Sequence, residues 1–138
     1  MKVFFDASVI LAGLMSKTGG SAVLLRLSEK GKLKTATSRL VLEEVKRNIK
    51  KKLSKRQLIV FAEWLKKAKP RVVAVSQNEI KKYKEIVASK DAHVIAGAVK
   101  TKVKYLVTLD KKHLLKINQE KTSLSFKILT PGDLINLL

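Results

Sequence analysis

The chain has 138 residues, of which 46% are hydrophobic, so it can bury one real core. It has no cysteine, two prolines, six glycines and no low-complexity run, which excludes a disulfide framework, a thiolate metal site and a disordered chain. Thirty basic residues against 11 acidic residues give a formal net charge of +19, which favours polyanionic partners, above all nucleic acid.

Lysine supplies 25 of the 30 basic residues, which suits a diffuse phosphate-attracting field better than bidentate reading of bases by arginine. Lysine-rich solvated surfaces also occur in proteins from hot environments, so charge alone leaves both interpretations open. No apolar run approaches the roughly 18 to 20 residues of a membrane span. We therefore expect a soluble, cytoplasmic protein without membrane association, folded as a single domain over residues 1–138.

The first 36 residues predict two strands and two helices. Lys2–Phe5 is an apolar run typical of a buried strand, and Ser8 is predicted to cap a short helix after it. Residues 21–28 carry apolar side chains at helical spacing, and Gly31 is predicted to close that helix. Residues 33–36 predict a short second strand.

The next third predicts two amphipathic helices. Ser38 opens the first, and Ser54 caps the second, which ends before Pro70. Basic residues crowd the junction between the two helices, where they form either a solvated face or a ridge that guides RNA. The candidate RNA-binding residues are Lys50, Lys51, Lys52, Lys55 and Arg56.

The last half predicts three more strands, at residues 71–75, 104–109 and 125–129. The capping box of Ser76 and Glu79 predicts a helix after the first of them. The further predicted helices are 91–99, a short one over 111–115, and a final one that starts at Thr130-Pro131.

Strands that alternate with helices imply an α/β fold: a central parallel sheet of four to five strands, covered by helices on both faces. Ligands of such sheets bind at the carboxyl ends of the strands. Asp6 ends the first strand and Asp110 follows the strand KYLVTL, so both carboxylates belong to the same edge. Asp91, at the start of a helix, either caps that helix or points toward the same edge.

Three converging carboxylates repel one another unless lysines or a divalent cation neutralise them. Mg²⁺ or Mn²⁺ prefers a few carboxylates together with water and phosphate oxygens, and this is the layout of phosphodiester chemistry. Glu44 is a fourth candidate, because its helical neighbours place it nearer the buried face, whereas Glu43 is placed to pair with Arg47 at the surface.

Four stretches in this order resemble the PIN-domain ribonucleases: VFFDASVI, SRLVLEEV, DAHVIAGA and YLVTLDKKHLL. The resemblance implies a metal-dependent endoribonuclease for single-stranded RNA, often the toxin of a toxin–antitoxin pair, and hence an antitoxin protein as a possible partner. It also implies a PIN-like α/β/α sandwich and small hydroxyl side chains at Ser8 and Thr108. The acidic quartet that it implies is Asp6, Glu44, Asp91 and Asp110.

The sequence departs from the family after Asp91, where Ala92 and His93 stand at positions at which some relatives carry another acid, so one or two metal ions remain open. His93 and His113 are expected to be ordinary surface or core-edge histidines. A haloacid-dehalogenase-like phosphatase and a receiver domain each need a second acid near Asp6, which is absent. The serious alternative is a catalytically silent, basic RNA-binding or partner-binding module on the same fold.

The helices between residues 38 and 69 carry more apolar positions than one small sheet face requires. This excess predicts a homodimer with the two acidic sites along a shared basic groove. The interface is expected to bury part of Leu58, Phe61, Trp64 or Leu65.

Overall fold

Five strands and seven α-helices make up the part of the chain that the computed structural model describes, residues 1–117, 119 and 122–138. The strands are β1 (Lys2–Phe5), β2 (Lys34–Ser38), β3 (Arg71–Val73), β4 (Tyr105–Val107) and β5 (Lys127–Leu129). The helices are α1 (Ala7–Met15), α2 (Gly20–Glu29), α3 (Arg39–Lys52), α4 (Lys55–Ala68), α5 (Gln77–Lys81), α6 (Ser89–Lys100) and α7 (Pro131–Asn136). A short 3₁₀-helix spans Leu114–Lys116.

All five strands are parallel and lie in the order β3-β2-β1-β4-β5, with β1 at the centre. The predicted α/β fold with helices on both faces of a parallel sheet is therefore confirmed. The strands β3, β4 and β5 are shorter than predicted, whereas β2 runs to Ser38, two residues beyond its predicted end. The helix predicted over 111–115 is wrong: the chain turns there and then forms the 3₁₀-helix.

The central strand divides the core between the two faces of the sheet, because successive side chains point to opposite faces. Phe5 stacks on Trp64 of α4, with ring centroids 6.3 Å apart. Phe4 faces α6, where its ring lies against Gly97. The indole Nε1 of Trp64 donates a 2.9 Å hydrogen bond to Ser28 Oγ, so the one polar group of this large side chain is satisfied inside the core.

Hydroxyl caps fix the starts of several helices as predicted: Ser38 caps α3, and capping boxes begin α5 and α7. One cap prediction is wrong. The residue that caps α1 is Asp6 instead of Ser8, because its carboxylate lies beside the first free amide of the helix. Of the two alternatives for Asp91, the N-cap is excluded, because α6 already begins at Ser89 and Asp91 lies in its first turn.

Two of the four candidate residues for a dimer interface, Phe61 and Trp64, are excluded by their burial. Phe61 and Trp64 are each 1% exposed, because they already pack against the core of their own chain, and they offer no surface to a partner. Leu58 and Leu65 are half-buried and pack at the edge of the same core.

Within the described residues, no single helix is long and apolar enough to cross a membrane. Only α1 and α2 taken together have the required length and composition, and they are bent against each other by 96°.

Candidate active site and metal centre

Asp6 is held by a hydrogen-bond network at the carboxyl end of β1. Its Oδ1 accepts from the Ala7 amide at 2.7 Å, which caps α1. Its Oδ2 accepts from Thr108 Oγ1 at 2.7 Å and from Ser8 Oγ at 3.1 Å. Asp6 is only 7% exposed. The two predicted hydroxyls, those of Ser8 and Thr108, lie directly against its carboxylate. The three bonds fix its orientation and leave one of its roughly four acceptor positions free.

The same two hydroxyls fix the loop that carries Asp110. Ser8 Oγ accepts from the Leu109 amide at 3.0 Å, and Thr108 Oγ1 accepts from the Asp110 amide at 3.1 Å. Each hydroxyl thus donates to Asp6 and accepts from the loop after β4. The ends of the two central strands are thereby tied together, with both carboxylates at one edge of the sheet.

Asp91, Asp110 and His113 form the tightest cluster of possible metal ligands in the described part of the chain. One ligand atom of each lies within 4.8 Å of the others. His113 Nδ1 is 3.6 Å from Asp91 Oδ2 and 3.4 Å from Asp110 Oδ2. The turn after β4 brings the histidine there, because Asp110 Oδ1 accepts from the amides of Lys112 and His113 at 3.1 Å.

Glu44 lies on the inward side of α3, half-buried, whereas Glu43 is exposed. Its neighbourhood includes Asp6 and Asp91, whose charges act on it. The four predicted acids therefore lie in one region, but they do not form one compact group. Asp91 and Asp110 meet at ligand distance from His113, while Asp6 and Glu44 flank that cluster.

The pKa values of three of these acids are raised, first of all by burial, which penalises the charged form. The charge of Asp91 adds to the rise in the pKa of Asp6, and the charge of Asp110 adds to that of Asp91. Carboxylates that raise one another's pKa need protons or a cation to neutralise them. This edge of the sheet is therefore electrostatically suited to a positive ion.

An orphaned oxygen tests whether a divalent cation fits these residues. Asp91 Oδ2 is buried and has no hydrogen-bond partner among the described residues. A buried carboxylate oxygen without a partner is costly, and a cation is one partner that removes the cost. Two carboxylates and one imidazole also supply the oxygen and nitrogen donors that Mn²⁺ and related ions accept. The residues present therefore fit a metal ion.

Two basic residues lie close to the cluster: Lys90, which the sequence did not single out, and Arg47, which was expected to pair with Glu43 at the surface. Lys90 precedes Asp91, and its charge opposes the rise in the pKa of both Asp91 and Glu44. Arg47 lies one turn after Glu44 on α3 and also opposes the rise in the pKa of that acid. Both cations therefore stand close enough to the carboxylates for their charges to act on them.

The predicted basic ridge lies farther out. Lys50, Lys51 and Lys52 occupy the last turn of α3, and Lys55 and Arg56 begin α4; all five are exposed. At a rise of about 1.5 Å per residue, Lys50 stands roughly 9 Å along the helix axis from Glu44. The ridge is therefore separate from the carboxylates.

His113 is the site residue that sequence reasoning undervalued, since it was expected to be an ordinary histidine. The available signal was its position three residues after Asp110, where an aspartate that caps a turn folds the chain back on itself. His93 lies nearby and half-buried, and its Nδ1 has no hydrogen-bond partner among the described residues. Burial lowers the pKa of His93, whereas the charges of Asp6 and Asp91 act in the opposite direction.

Comparison with known proteins identifies the family and the fold. The family model of the PIN domain matches residues 2–112. The fold is similar to that of a chain in the crystal structure of VapBC2 from Rickettsia felis bound to a DNA fragment from their promoter, with a TM-score of 0.67 and 16% identity over 94% of this chain and 98% of that chain. No curated protein sequence matches the chain significantly. The family model spans most of the chain and all the acids described above, and the chain therefore belongs to the PIN domain family.

Proposed function

We propose that this PIN domain is a metal-dependent endoribonuclease that cleaves single-stranded RNA. The observation that carries the proposal is the cluster of Asp91, Asp110 and His113, in which a buried oxygen of Asp91 has no hydrogen-bond partner among the described residues. PIN domains are generally nucleases, and the net charge of +19 favours a polyanionic substrate.

Asp91, Asp110 and His113 would hold a divalent cation, Mg²⁺ or Mn²⁺, with Asp6 and Glu44 beside it. When bound, the ion would supply Lewis-acid chemistry, polarising a phosphoryl oxygen and activating water. Ser8 and Thr108 would act as positioning residues, because their hydroxyls fix the orientation of the Asp6 carboxylate.

Basic side chains would bring the substrate to this acidic edge. Lys90 and Arg47 stand beside the carboxylates and would offset their repulsion of the phosphate backbone. The basic ridge of Lys50, Lys51, Lys52, Lys55 and Arg56 would bind phosphates farther along the RNA, in a salt-dependent manner. RNA binding is thus expected to survive the loss of the metal ion, whereas cleavage is not.

Cleavage of a labelled single-stranded RNA with Mn²⁺, with Mg²⁺ and with EDTA tests this function. We expect cleavage with either metal and none with EDTA. The Asp110→Asn variant should lose cleavage, whereas Glu85→Gln, which removes an exposed acid on another segment, should retain it. RNA binding by wild-type protein without cleavage under any metal condition would support the catalytically silent RNA-binding or partner-binding module instead.

We also infer that the chain acts as the toxin of a toxin–antitoxin pair. The support is the similarity of its fold to a chain of VapBC2, a complex solved on a DNA fragment from its promoter. A short neighbouring reading frame for a small DNA-binding protein, which copurifies with this chain and suppresses its cleavage, is the expected result. A neighbouring product that neither binds nor inhibits would contradict the inference.

A homodimer remains part of this proposal, with its interface restricted to the outer face of α4. Ile59 is 61% exposed there, beside the half-buried Leu58, and these side chains remain after Phe61 and Trp64 are removed from the predicted interface. Light scattering at high micromolar concentration should report a dimer for the wild type and a monomer for Ile59→Glu. A monomeric wild type would refute this part of the proposal.

A further inference from the structure

A second concave site lies at the opposite end of the sheet, where the strands begin. It has a volume of about 400 Å³, which is within the range of sites for small molecules. The starts of β1, β2 and β3 and the ends of α2, α4 and α6 surround it. Its apolar lining comes from Leu33, Ala36, Ala68 and Val103. We call it the amino-edge pocket.

Four cationic side chains line the amino-edge pocket: Lys2, Lys34, Lys69 and Arg71. Lys2 and Lys34 are direct neighbours across the β1–β2 ladder. None of the described lining residues is an aspartate or a glutamate, and no carboxylate in the described part of the chain lies within 4 Å of these cations. All four side chains are exposed, and Lys69 also lines a neighbouring groove together with Glu29 and Glu63. The pocket lining itself still carries an excess of like charge, which favours an anion.

Helix C-termini neutralise only part of this positive charge. The helices α2, α4 and α6 end at the pocket, and each C-terminus carries roughly half a negative charge. Three such ends are outweighed by four full positive charges. The pocket therefore keeps an excess of positive charge that the described helix ends do not neutralise.

The pocket lining also contains a hydroxyl group without a partner. Thr35 on β2 is 8% exposed, and its Oγ1 makes no hydrogen bond to the described residues. By contrast, Thr101 donates to the carbonyls of Gly97 and Ala98, and Ser28 donates to that of Leu25. A buried hydroxyl without a partner costs free energy, which an acceptor oxygen on a ligand would recover.

Lys69 reaches the pocket from an unfavourable backbone conformation. It ends α4 with φ of 47°, in the left-handed region that favours glycine. Lys102 has the same kind of backbone conformation, with φ of 54°. A glycine at position 69 would be conformationally better, so Lys69→Gly can remove the cation without adding strain.

We propose that the amino-edge pocket binds a small phosphate monoester of the nucleoside monophosphate class. The cationic rim would bind the dianionic phosphate, Thr35 would donate to a phosphate oxygen, and the apolar lining would contact the nucleoside. This site is separate from the carboxylate cluster at the other end of the strands, and it does not depend on the nuclease proposal.

Two-dimensional amide NMR of the whole chain, titrated with adenosine monophosphate in EDTA, tests the proposal. We expect shifts concentrated at residues 33–36, 69–71 and 101. Thr35→Val removes the hydroxyl and keeps the charge, and Lys69→Gly removes the cation while relieving the left-handed strain. Each should weaken binding about fivefold or more without loss of fold.

Matched controls separate a built site from diffuse charge. Lys84→Gln removes one exposed positive charge outside the pocket lining and outside the basic ridge, and it should change the affinity by less than about twofold. Adenosine without phosphate should not bind. Equal weakening by Lys84→Gln, equal binding of adenosine, or no localised shifts would overturn the proposal. Binding at this edge by single-stranded RNA but not by the monophosphate would overturn it as well, in favour of an RNA surface.

Discussion

Thr108 Oγ1 donates a 2.7 Å hydrogen bond to Asp6 Oδ2, although the two residues are 102 positions apart in the sequence. The bond joins the ends of the two central strands, β1 and β4. It also fixes the orientation of the Asp6 carboxylate. Burial and the charge of Asp91 raise the pKa of Asp6, whereas the hydrogen bond from Thr108 acts in the opposite direction.

Replacing Thr108 with valine should weaken metal affinity and cleavage by about ten- to hundredfold, because the Asp6 carboxylate loses the hydroxyl that orients it. Calorimetric Mn²⁺ titration and cleavage rates measure the two effects. Thr101→Val is the matched control, since Thr101 is a buried threonine whose hydroxyl bonds only within α6. Equal losses in both variants would mean that Thr108 has only a structural role.

Replacing His113 with glutamine should lower the affinity for Mn²⁺ by at least about tenfold, or ~1.4 kcal/mol, and that for Mg²⁺ by less. The reason is that an imidazole suits transition metals, whereas Mg²⁺ prefers oxygen ligands. Metal titration followed by calorimetry measures both affinities. His93→Gln is the comparison, because His93 lies outside the ligand cluster. If the two ions lost affinity equally in His113→Gln, His113 would not be a ligand.

Replacing Glu79 with glutamine should lower the melting temperature near pH 7 and have no effect in acid. The capping bond to the Ser76 amide and the bond from Lys100 hold the pKa of Glu79 below its ordinary value of 4.5. Its ionised form therefore stabilises the fold above about pH 4.5, and this stabilisation is lost as pH falls through the folded pKa. Glu85→Gln is the control and should not change the melting temperature at either pH. A lower melting temperature of Glu79→Gln that persisted in acid would contradict this account.

Replacing Gly97 with alanine should destabilise the fold by about 1–3 kcal/mol, because a Cβ there would lie 2.8 Å from the Phe4 ring. Chemical denaturation measures the change. Gly132→Ala in α7 is the control: its nearest neighbour would be 3.9 Å away, so the helix should be unaffected or slightly stabilised. If the free energy of unfolding of Gly97→Ala equalled that of the wild type, α6 and β1 could not be in such close contact at Phe4.

The fold could be predicted because local and long-range signals agree. The apolar run Lys2–Phe5 is typical of a strand buried on both faces, and parallel strands must bring Asp6 and Asp110 to one edge. The inward position of Glu44 followed from the helical spacing of its neighbours. These inferences need only periodicity and connection rules, which a sequence carries directly.

What could not be predicted depends on contacts between distant segments. Trp64 was assigned in part to a dimer interface, because the sequence does not reveal that Phe5 and Ser28 cover it within the chain. The position of His113 depends on a turn closed by the Asp110 side chain. Asp6 caps α1 and at the same time accepts hydrogen bonds from Ser8 and Thr108. This double role depends on Thr108, which is distant in the sequence.

The central claim is that the carboxyl edge of the sheet is a metal-dependent nuclease centre, and Asp6→Asn tests it most directly. The asparagine keeps an oxygen to cap α1, and its NH₂ group can donate to the hydroxyl oxygens of Ser8 and Thr108 once their protons turn away, so the fold should survive. It removes a negative charge that a divalent cation needs.

The decisive measurement compares cleavage and binding of single-stranded RNA by wild-type and Asp6→Asn protein with Mn²⁺. We predict that the variant loses at least about a hundredfold in cleavage, roughly 2.7 kcal/mol of transition-state stabilisation, and that it binds RNA as well as wild type does. Equal cleavage by the two proteins would contradict the account and leave Asp6 as a helix cap alone.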